Sequence, residues 1–169
     1  MSDIADGQDR QLDPRVVPLQ QVTGSILLAV IAVWSFAGLL IGMLVGDSPS
    51  TAGRIIGLLL LWTVLVGLGA WHAFRWPVRA YARTFYRVDE QGIEIRRGVY
   101  WRVVINVPKS RVQHIDVTQG PIDRRFGLGT LVIHTAGTDH AKVPLDGLEH
   151  GRALAIRVHL LPSGAGDAV

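Results

Sequence analysis

Two long apolar segments dominate the first half of the chain. Gly24–Val45 is a run of 22 residues without an ionisable side chain, and Ile55–Phe74 is a run of 20 in which only His72 titrates. Helices of these lengths measure roughly 33 and 30 Å, which is close to the hydrocarbon thickness of a bilayer. The pattern predicts two membrane-spanning helices.

Two other interpretations fit apolar runs of this kind. A buried helical hairpin of a soluble protein would show polar stripes, and neither segment has one. A cleaved signal peptide would have a shorter apolar region, although the sequence STA at 50–52 resembles its cleavage site. We therefore favour a transmembrane hairpin at residues 24–74, with spans at 24–45 and 55–74 and a link too short for any other connection.

Basic residues flank these segments unevenly, and arginine supplies 15 of the 17. The link carries only Arg54, whereas the N-terminal arm, residues 1–23, carries Arg10 and Arg15, and the juxtamembrane segment, residues 75–83, carries three arginines. Because positive charge accumulates on the cytoplasmic side of a membrane, we expect both termini in the cytoplasm.

The end of the second span combines aromatic and basic side chains that prefer the lipid–water interface. We expect the following residues there: Trp71, Arg75, Trp76, Arg79, Tyr81 and Arg83. These arginines either only fix the orientation of the helices in the membrane, or they also contact the head groups of anionic lipids. Pro77 is expected to interrupt the helix and to begin a short new one.

Glycines recur at four-residue spacing in both spans, which permits close approach of two helix backbones. The set is Gly38, Gly42, Gly46, Gly53 and Gly57. We expect these glycines to pack either within the hairpin or between two copies of the chain.

From Thr84 the apolar residues alternate with polar ones, which is typical of strands with one buried face. Four such runs lie at 93–96, 102–107, 114–118 and 130–134, separated by turns rich in glycine, aspartate and proline. Five to seven short strands are expected.

A helix is expected to follow these strands. The sequence DGLE at 146–149 resembles a capping box, and Pro162 would end the helix before a flexible tail at 162–169. Its apolar stripe would consist of Leu148, Leu154, Val158 and Leu161. The predicted fold class is α+β: a membrane hairpin, then a small barrel or curled antiparallel sheet capped by a C-terminal helix at residues 84–161.

The order of motifs carries a family resemblance. Two spans precede YRVDEQGIEIRRGVYWR, then VPKSRVQHIDVTQGPIDRRFGLGTLVIHTAG, then VPLDGL. This arrangement resembles the type-2 bacterial PH domain membrane proteins, the YdbS-like group. The resemblance implies a PH-like fold in the bacterial cytoplasmic membrane, and it implies no settled activity.

The resemblance also bears on possible binding turns. Arg124, Arg125 and Phe126 lie where the family has an arginine-aromatic-glycine turn, so we expect an interaction or anion site there. Eukaryotic phosphoinositide-binding PH domains carry basic residues in the first strand turn, whereas residues 89–92 read DEQG and would repel phosphates.

Candidates for chemistry are few. His114 and Asp116 share a strand face as a possible acid–base pair. His134 and His140 flank a turn and could meet across a hairpin with Asp139 to hold zinc, but exposed imidazoles are usually solvated. The GLG at 127–129 lacks the rest of a nucleotide-binding motif. We expect no catalytic site, no cofactor and no metal.

Composition excludes further classes. The chain has no cysteine, which removes disulfides and thiolate zinc sites, and its formal charge of +3 is not gathered into a basic stripe for nucleic acid.

Our first hypothesis is a non-enzymatic inner-membrane protein, a subunit or scaffold of a membrane complex in envelope maintenance or stress defence. Its partners would be membrane lipids and a protein, either another PH-like membrane protein or a second copy. The alternative is a component that moves or gates a solute or lipid, although such pathways usually carry charged residues within the membrane and these spans have none.

Overall fold

The computed structural model describes residues 4–45, 52–136 and 141–161. The chain divides into two compact units. One is Gln20–Val78, and the other takes in both flanking parts of the chain, up to Leu19 and from Arg79 onward. Residues 46–51 of the expected link, which include Gly46, and the expected tail at 162–169, together with His140 and Asp139, lie outside the described residues, whereas residues 52–54 of the link belong to the second helix.

Two 30-residue helices, α1 (Val16–Val45) and α2 (Ala52–Tyr81), contain the predicted spans. Their apolar windows have mean hydropathies of 2.5 and 2.0, and no residue in either window is buried by the protein. A core helix of a soluble protein would be covered by its neighbours, so this apolar surface needs lipid. The predicted transmembrane helices are confirmed.

The hairpin is held by contacts between its two helices. The Trp62 indole donates to Ser35 Oγ at 3.0 Å, and the Gln21 amide donates to the Phe74 carbonyl at 3.1 Å. The expected interruption at Pro77 was wrong, because α2 continues through this residue to Tyr81. Proline is tolerated in membrane helices because neighbouring groups can satisfy the backbone carbonyl that it frees.

The second unit contains two antiparallel sheets. The first has the spatial order β1 (Asp9–Gln11), β2 (Phe85–Val88), β3 (Gly92–Arg97) and β4 (Val103–Pro108). The second has the order β5 (Val112–Thr118), β6 (Leu128–Thr135) and β7 (Lys142–Glu149). A 3₁₀ turn, Lys109–Arg111, joins β4 to β5, and α3 (Pro121–Phe126) joins β5 to β6. The four predicted strand runs are confirmed, but the two sheets do not close into a barrel in the described part of the chain.

The core of this unit is built from the alternating apolar positions of the strands. Ile93 and Ile95 of β3, together with Ile133 of β6, are at most 1% exposed. The C-terminal helix α4 (His150–Leu160) packs against the second sheet and adds Ala153, Ile156 and Leu160 to the same cluster. Capping by a C-terminal helix is therefore confirmed.

The details of that helix differ from the sequence-based expectation. Residues 146–149 end strand β7 and do not form a capping box. Asp146 Oδ1 accepts a hydrogen bond from the Thr130 hydroxyl at 3.0 Å, so its carboxylate stabilises a strand pair. The expected stripe was wrong at Leu154 and Val158, which are exposed on α4, whereas Leu148 is buried and Leu161 packs against the core as expected.

The segment before α1 contributes to the second unit, which the sequence pattern did not indicate. Strand β1 pairs with β2, and Ile4, Ala5 and Leu12 pack against the core. An ion pair between Asp9 and Arg96, at 2.9 Å, links β1 to β3. Residues on both sides of the helical hairpin therefore build one sheet.

Candidate functional site

Several residues expected at the membrane interface interact along the C-terminal part of α2. The Arg75 guanidinium lies 4.7 Å from the centre of the Trp71 ring, one helical turn away, and the His72 ring stacks on Trp76 at 5.3 Å. Cation–π pairing and stacking restrain these side chains where a helix leaves the hydrocarbon. Their contact with lipid stays a prediction.

The end of α2 is also tied to the strands that follow it. Arg79 is exposed near the last turn, Tyr81 is its final residue, and Arg83 donates to the Val99 carbonyl in the β3–β4 hairpin. This hydrogen bond holds the β3–β4 hairpin to the chain segment between α2 and β2.

The glycine repeats lie away from the hairpin's closest contact. A Cβ added at Gly38, Gly42, Gly53 or Gly57 would meet no described atom within 4 Å. The helices approach closely instead at Gly69, where a Cβ would lie 2.8 Å from Leu28 Cδ1. Packing of the repeats against a second copy stays a prediction.

A groove of about 450 Å³ lies between the two helices. It is lined mainly by apolar residues, with Gln20 and His72 as its polar members. No Asp, Glu, Lys or Arg is among its lining residues. Transport pathways through membranes usually contain charged residues, and the residues that line this groove carry none of them.

The arginine-aromatic turn is the short helix α3. Arg124 and Arg125 are exposed and form no ion pair with the described residues, and Phe126 is partly buried. Gly127 ends the helix with φ +68°, a conformation that glycine adopts without strain. The two cations are free to meet an anion, and that role stays a prediction.

The turn between β2 and β3, residues 89–92, is the acidic first strand turn of the sequence analysis. Asp89 Oδ1 accepts hydrogen bonds at 2.9 Å from the backbone amides of Gln91 and Gly92. This geometry is a side-chain-stabilised turn, and its acidic character is unsuited to a phosphate.

The edge of the first sheet carries an exposed apolar surface. Tyr100 and Trp101, at the tip of the β3–β4 hairpin, are 79% and 86% exposed, and Val104 of β4 is 62% exposed. In the described residues β4 pairs with a strand on one side only. A groove of about 120 Å³ runs beside its outer edge and is bounded by Arg111, Thr135 and Ala136.

Three potential metal ligands converge on the exposed face of the second sheet. His114 and Asp116 lie on β5 two residues apart, and His134 on β6 is directly opposite His114 in the strand register. His114 Nε2 lies 3.0 Å from Asp116 Oδ2, and His134 Nε2 lies 3.2 Å from the same oxygen. The two imidazole rings stack with centres 4.3 Å apart. We call these residues the His–Asp–His cluster.

The electrostatics of the cluster are dominated by one hydrogen bond. The His114 ring lowers the pKa of Asp116 by hydrogen bonding to its carboxylate, and the charges of His114 and His134 lower it further. His134 Nε2 is buried and lies within ion-pair distance of that oxygen, in poorer hydrogen-bonding geometry than His114 Nε2, and its contact also lowers the Asp116 pKa.

Sequence reasoning paired His114 with Asp116 as an acid and base, and considered His134 with His140 and Asp139 as metal ligands. The first two side chains are in contact, and the hairpin register adds His134 to them. Counting residues outward from the α3 turn would have suggested this pairing, because the register is regular from Thr118 and Thr130 to His114 and His134, and the bulge near Gln113 lies beyond it. His140 and Asp139 lie outside the described residues, so their grouping with His134 stays a prediction.

Comparisons with known proteins bear on the whole arrangement. The family model described as Bacterial PH domain matches residues 15–162. The chain is similar to the UPF0699 transmembrane protein YdbS of Bacillus subtilis (strain 168), with 41% identity over 56 residues. That alignment covers 33% of this chain and 35% of the relative, so it spans about a third of each. No solved structure matches the chain. Since the family model covers most of the sequence, the chain belongs to the bacterial PH domain family, in its YdbS-like membrane-protein group.

Proposed function

We propose that this protein is a non-enzymatic subunit or scaffold of a complex in the bacterial cytoplasmic membrane, which serves envelope maintenance or stress defence. Its PH-like unit faces the cytoplasm and binds a protein partner. The observation that carries this proposal is the open outer edge of β4, with exposed apolar side chains beside it.

An open strand edge offers unpaired backbone donors and acceptors along its length. Such an edge binds an extended segment by adding it as a further strand, while pockets for alternate side chains provide selectivity. Val104 supplies an apolar contact of this kind, and the groove beside β4 adds a lining of both polar and apolar residues. The exposed Trp101 adds a large side chain of a type that often dominates binding energy at protein interfaces.

The membrane restricts the choice of partner. A tethered domain meets other proteins of the same membrane at a raised effective concentration, so a modest edge contact is sufficient for assembly. A second PH-like domain has an open edge of its own and is therefore complementary. We propose another membrane-tethered PH-like protein as the partner, with a second copy of this chain as the homomeric case.

Site-specific crosslinking tests this proposal with the full chain in its native membrane. Val104 is replaced by the photoreactive residue p-benzoylphenylalanine, and the same replacement at the exposed turn residue Glu90 is the control. We expect ultraviolet light to give a discrete adduct with a membrane protein at position 104 and none at position 90.

The substitution Val104→Lys provides the second measurement. A charged residue on a strand edge blocks addition of another strand, so co-purification of the crosslinked partner in mild detergent should be lost. Glu90→Lys should retain it. Equal adducts at both positions, or a partner that is retained by Val104→Lys, would show that β4 is not the binding edge.

A further inference from the structure

The His–Asp–His cluster has the composition and spacing of a zinc site. We propose that His114, Asp116 and His134 bind one Zn²⁺ ion on the exposed face of the second sheet, with water in the remaining position. This site is independent of the β4 edge, and it revises the expectation of no metal.

The donor spacing supports this assignment. Zinc binds histidine nitrogen and carboxylate oxygen at about 2.0–2.2 Å, and in a tetrahedral complex two such donors lie about 3.3 Å apart. The separations from Asp116 Oδ2 to the two Nε2 atoms are 3.0 and 3.2 Å, and all the potential ligand atoms lie within 4.8 Å of one another. The distances between the donor atoms are therefore close to those of a tetrahedral zinc complex.

The strands hold this spacing. His114 and His134 occupy directly opposed positions in an antiparallel pair, and Ile115 and Ile133 beside them are almost fully buried. The backbone under the cluster is thus anchored in the core. His114 is exposed, as is Asp116, so the His114 ring has room to turn from the stacked arrangement and direct Nε2 to a shared ion.

An unsatisfied atom points to the same conclusion. His134 Nε2 is buried, and its 3.2 Å contact with Asp116 Oδ2 lacks good hydrogen-bonding geometry, whereas buried polar atoms usually form well-directed bonds. An ion bound between the three side chains would satisfy this nitrogen. Two imidazoles and one carboxylate suit zinc better than magnesium or calcium, which prefer oxygen ligands throughout.

The test uses the full chain in detergent micelles, purified with an affinity tag that contains no histidine. Zn²⁺ is titrated in competition with a chromophoric chelator, and Co²⁺ absorption reports the coordination geometry. We expect one ion per chain and a tetrahedral Co²⁺ spectrum. His134→Ala and Asp116→Ala should each weaken Zn²⁺ binding by at least about tenfold, which corresponds to about 1.4 kcal/mol.

His114→Ala is the variant least able to disturb folding, because its side chain is exposed. It should weaken binding in the same way. Gln113→Ala, an exposed change at the adjacent position, and His72→Ala, in the membrane hairpin, should bind as the unaltered chain does. An unaltered chain without stoichiometric binding, or a His114→Ala chain with undiminished affinity, would overturn the proposal.

Discussion

A single aspartate joins the start of α1 to the second sheet. The Asp13 carboxylate accepts from the Arg15 side chain through both oxygens, at 2.9 and 2.7 Å, and from the Arg15 amide. Its own amide donates to the Gly147 carbonyl, and its carbonyl accepts from the Val16 amide. Hydrogen bonding from the Arg15 side chain lowers the pKa of Asp13, so the charged form is favoured in the folded state.

The sign of this shift sets a pH dependence. The stabilisation is complete above the ordinary carboxyl pKa of about 3.9 and is lost as the pH falls through the lower folded value. We expect Asp13→Asn to lower stability at pH 7 by up to about 1 kcal/mol, because the pair is partly screened by water. The difference from the unaltered chain should shrink below about pH 4. Thermal unfolding in detergent at several pH values measures it.

Glu90→Gln is the matched control, since it neutralises an exposed carboxylate in a turn. It should change the unfolding temperature little at any of these pH values. An Asp13→Asn deficit of constant size from pH 7 to pH 3 would contradict the ion-pair account and indicate a purely steric effect.

Local residue patterns predicted some details and missed others for a physical reason. The turn at Asp89 was predictable because its hydrogen bonds join residues two and three positions apart. The role of Asp146 was not, because its partner Thr130 is brought to it by the pairing of β6 with β7. Contacts that depend on strand register cannot be inferred from the nearest neighbours in sequence.

At the scale of elements, the alternation of apolar and polar residues was sufficient to predict the longer strands, but it did not predict the shortest one, β1. The residues of β1, DRQ, include no apolar side chain, so nothing in their pattern marks a buried face. This strand forms through backbone pairing with β2 and through the apolar residues that flank it. Hydrophobic pattern reports burial, whereas a polar edge strand is defined mainly by its hydrogen bonds.

The face of α4 gives a direct comparison between pattern and packing. Ile156 is fully buried, whereas Val158 is 65% exposed, although the sequence pattern favoured Val158 as a core position. We expect Ile156→Ala to destabilise the chain by about 2–5 kcal/mol, because it leaves a cavity against the sheet. Val158→Ala should change stability by no more than about 0.5 kcal/mol.

Both substitutions introduce alanine into the same helix, so differences in helix propensity are small beside the loss of packing. Thermal unfolding of the two variants in the same detergent measures the contrast. Similar losses for both, or a larger loss for Val158→Ala, would mean that α4 presents the opposite face to the core.

At the scale of the whole molecule, the chain's connectivity constrains its membrane topology. Strand β1 precedes α1, strand β2 follows α2, and the two strands pair directly. A sheet cannot form across a bilayer, so this pairing predicts that both ends of the hairpin lie on one side. This prediction does not depend on charge, whereas the choice of side rests on the arginines in and after the last turns of α2.

Cysteine labelling tests that choice cleanly, because the natural chain contains no cysteine. One variant carries Ser48→Cys in the link between the helices, and another carries Gln91→Cys in an exposed turn of the PH-like unit. A membrane-impermeant maleimide should label the first in intact spheroplasts and the second only after lysis. The reverse pattern would place the PH-like unit outside the cell and exclude a cytoplasmic partner. Labelling of both positions in intact spheroplasts would contradict the membrane hairpin, since the link and the β2–β3 turn would then share one side.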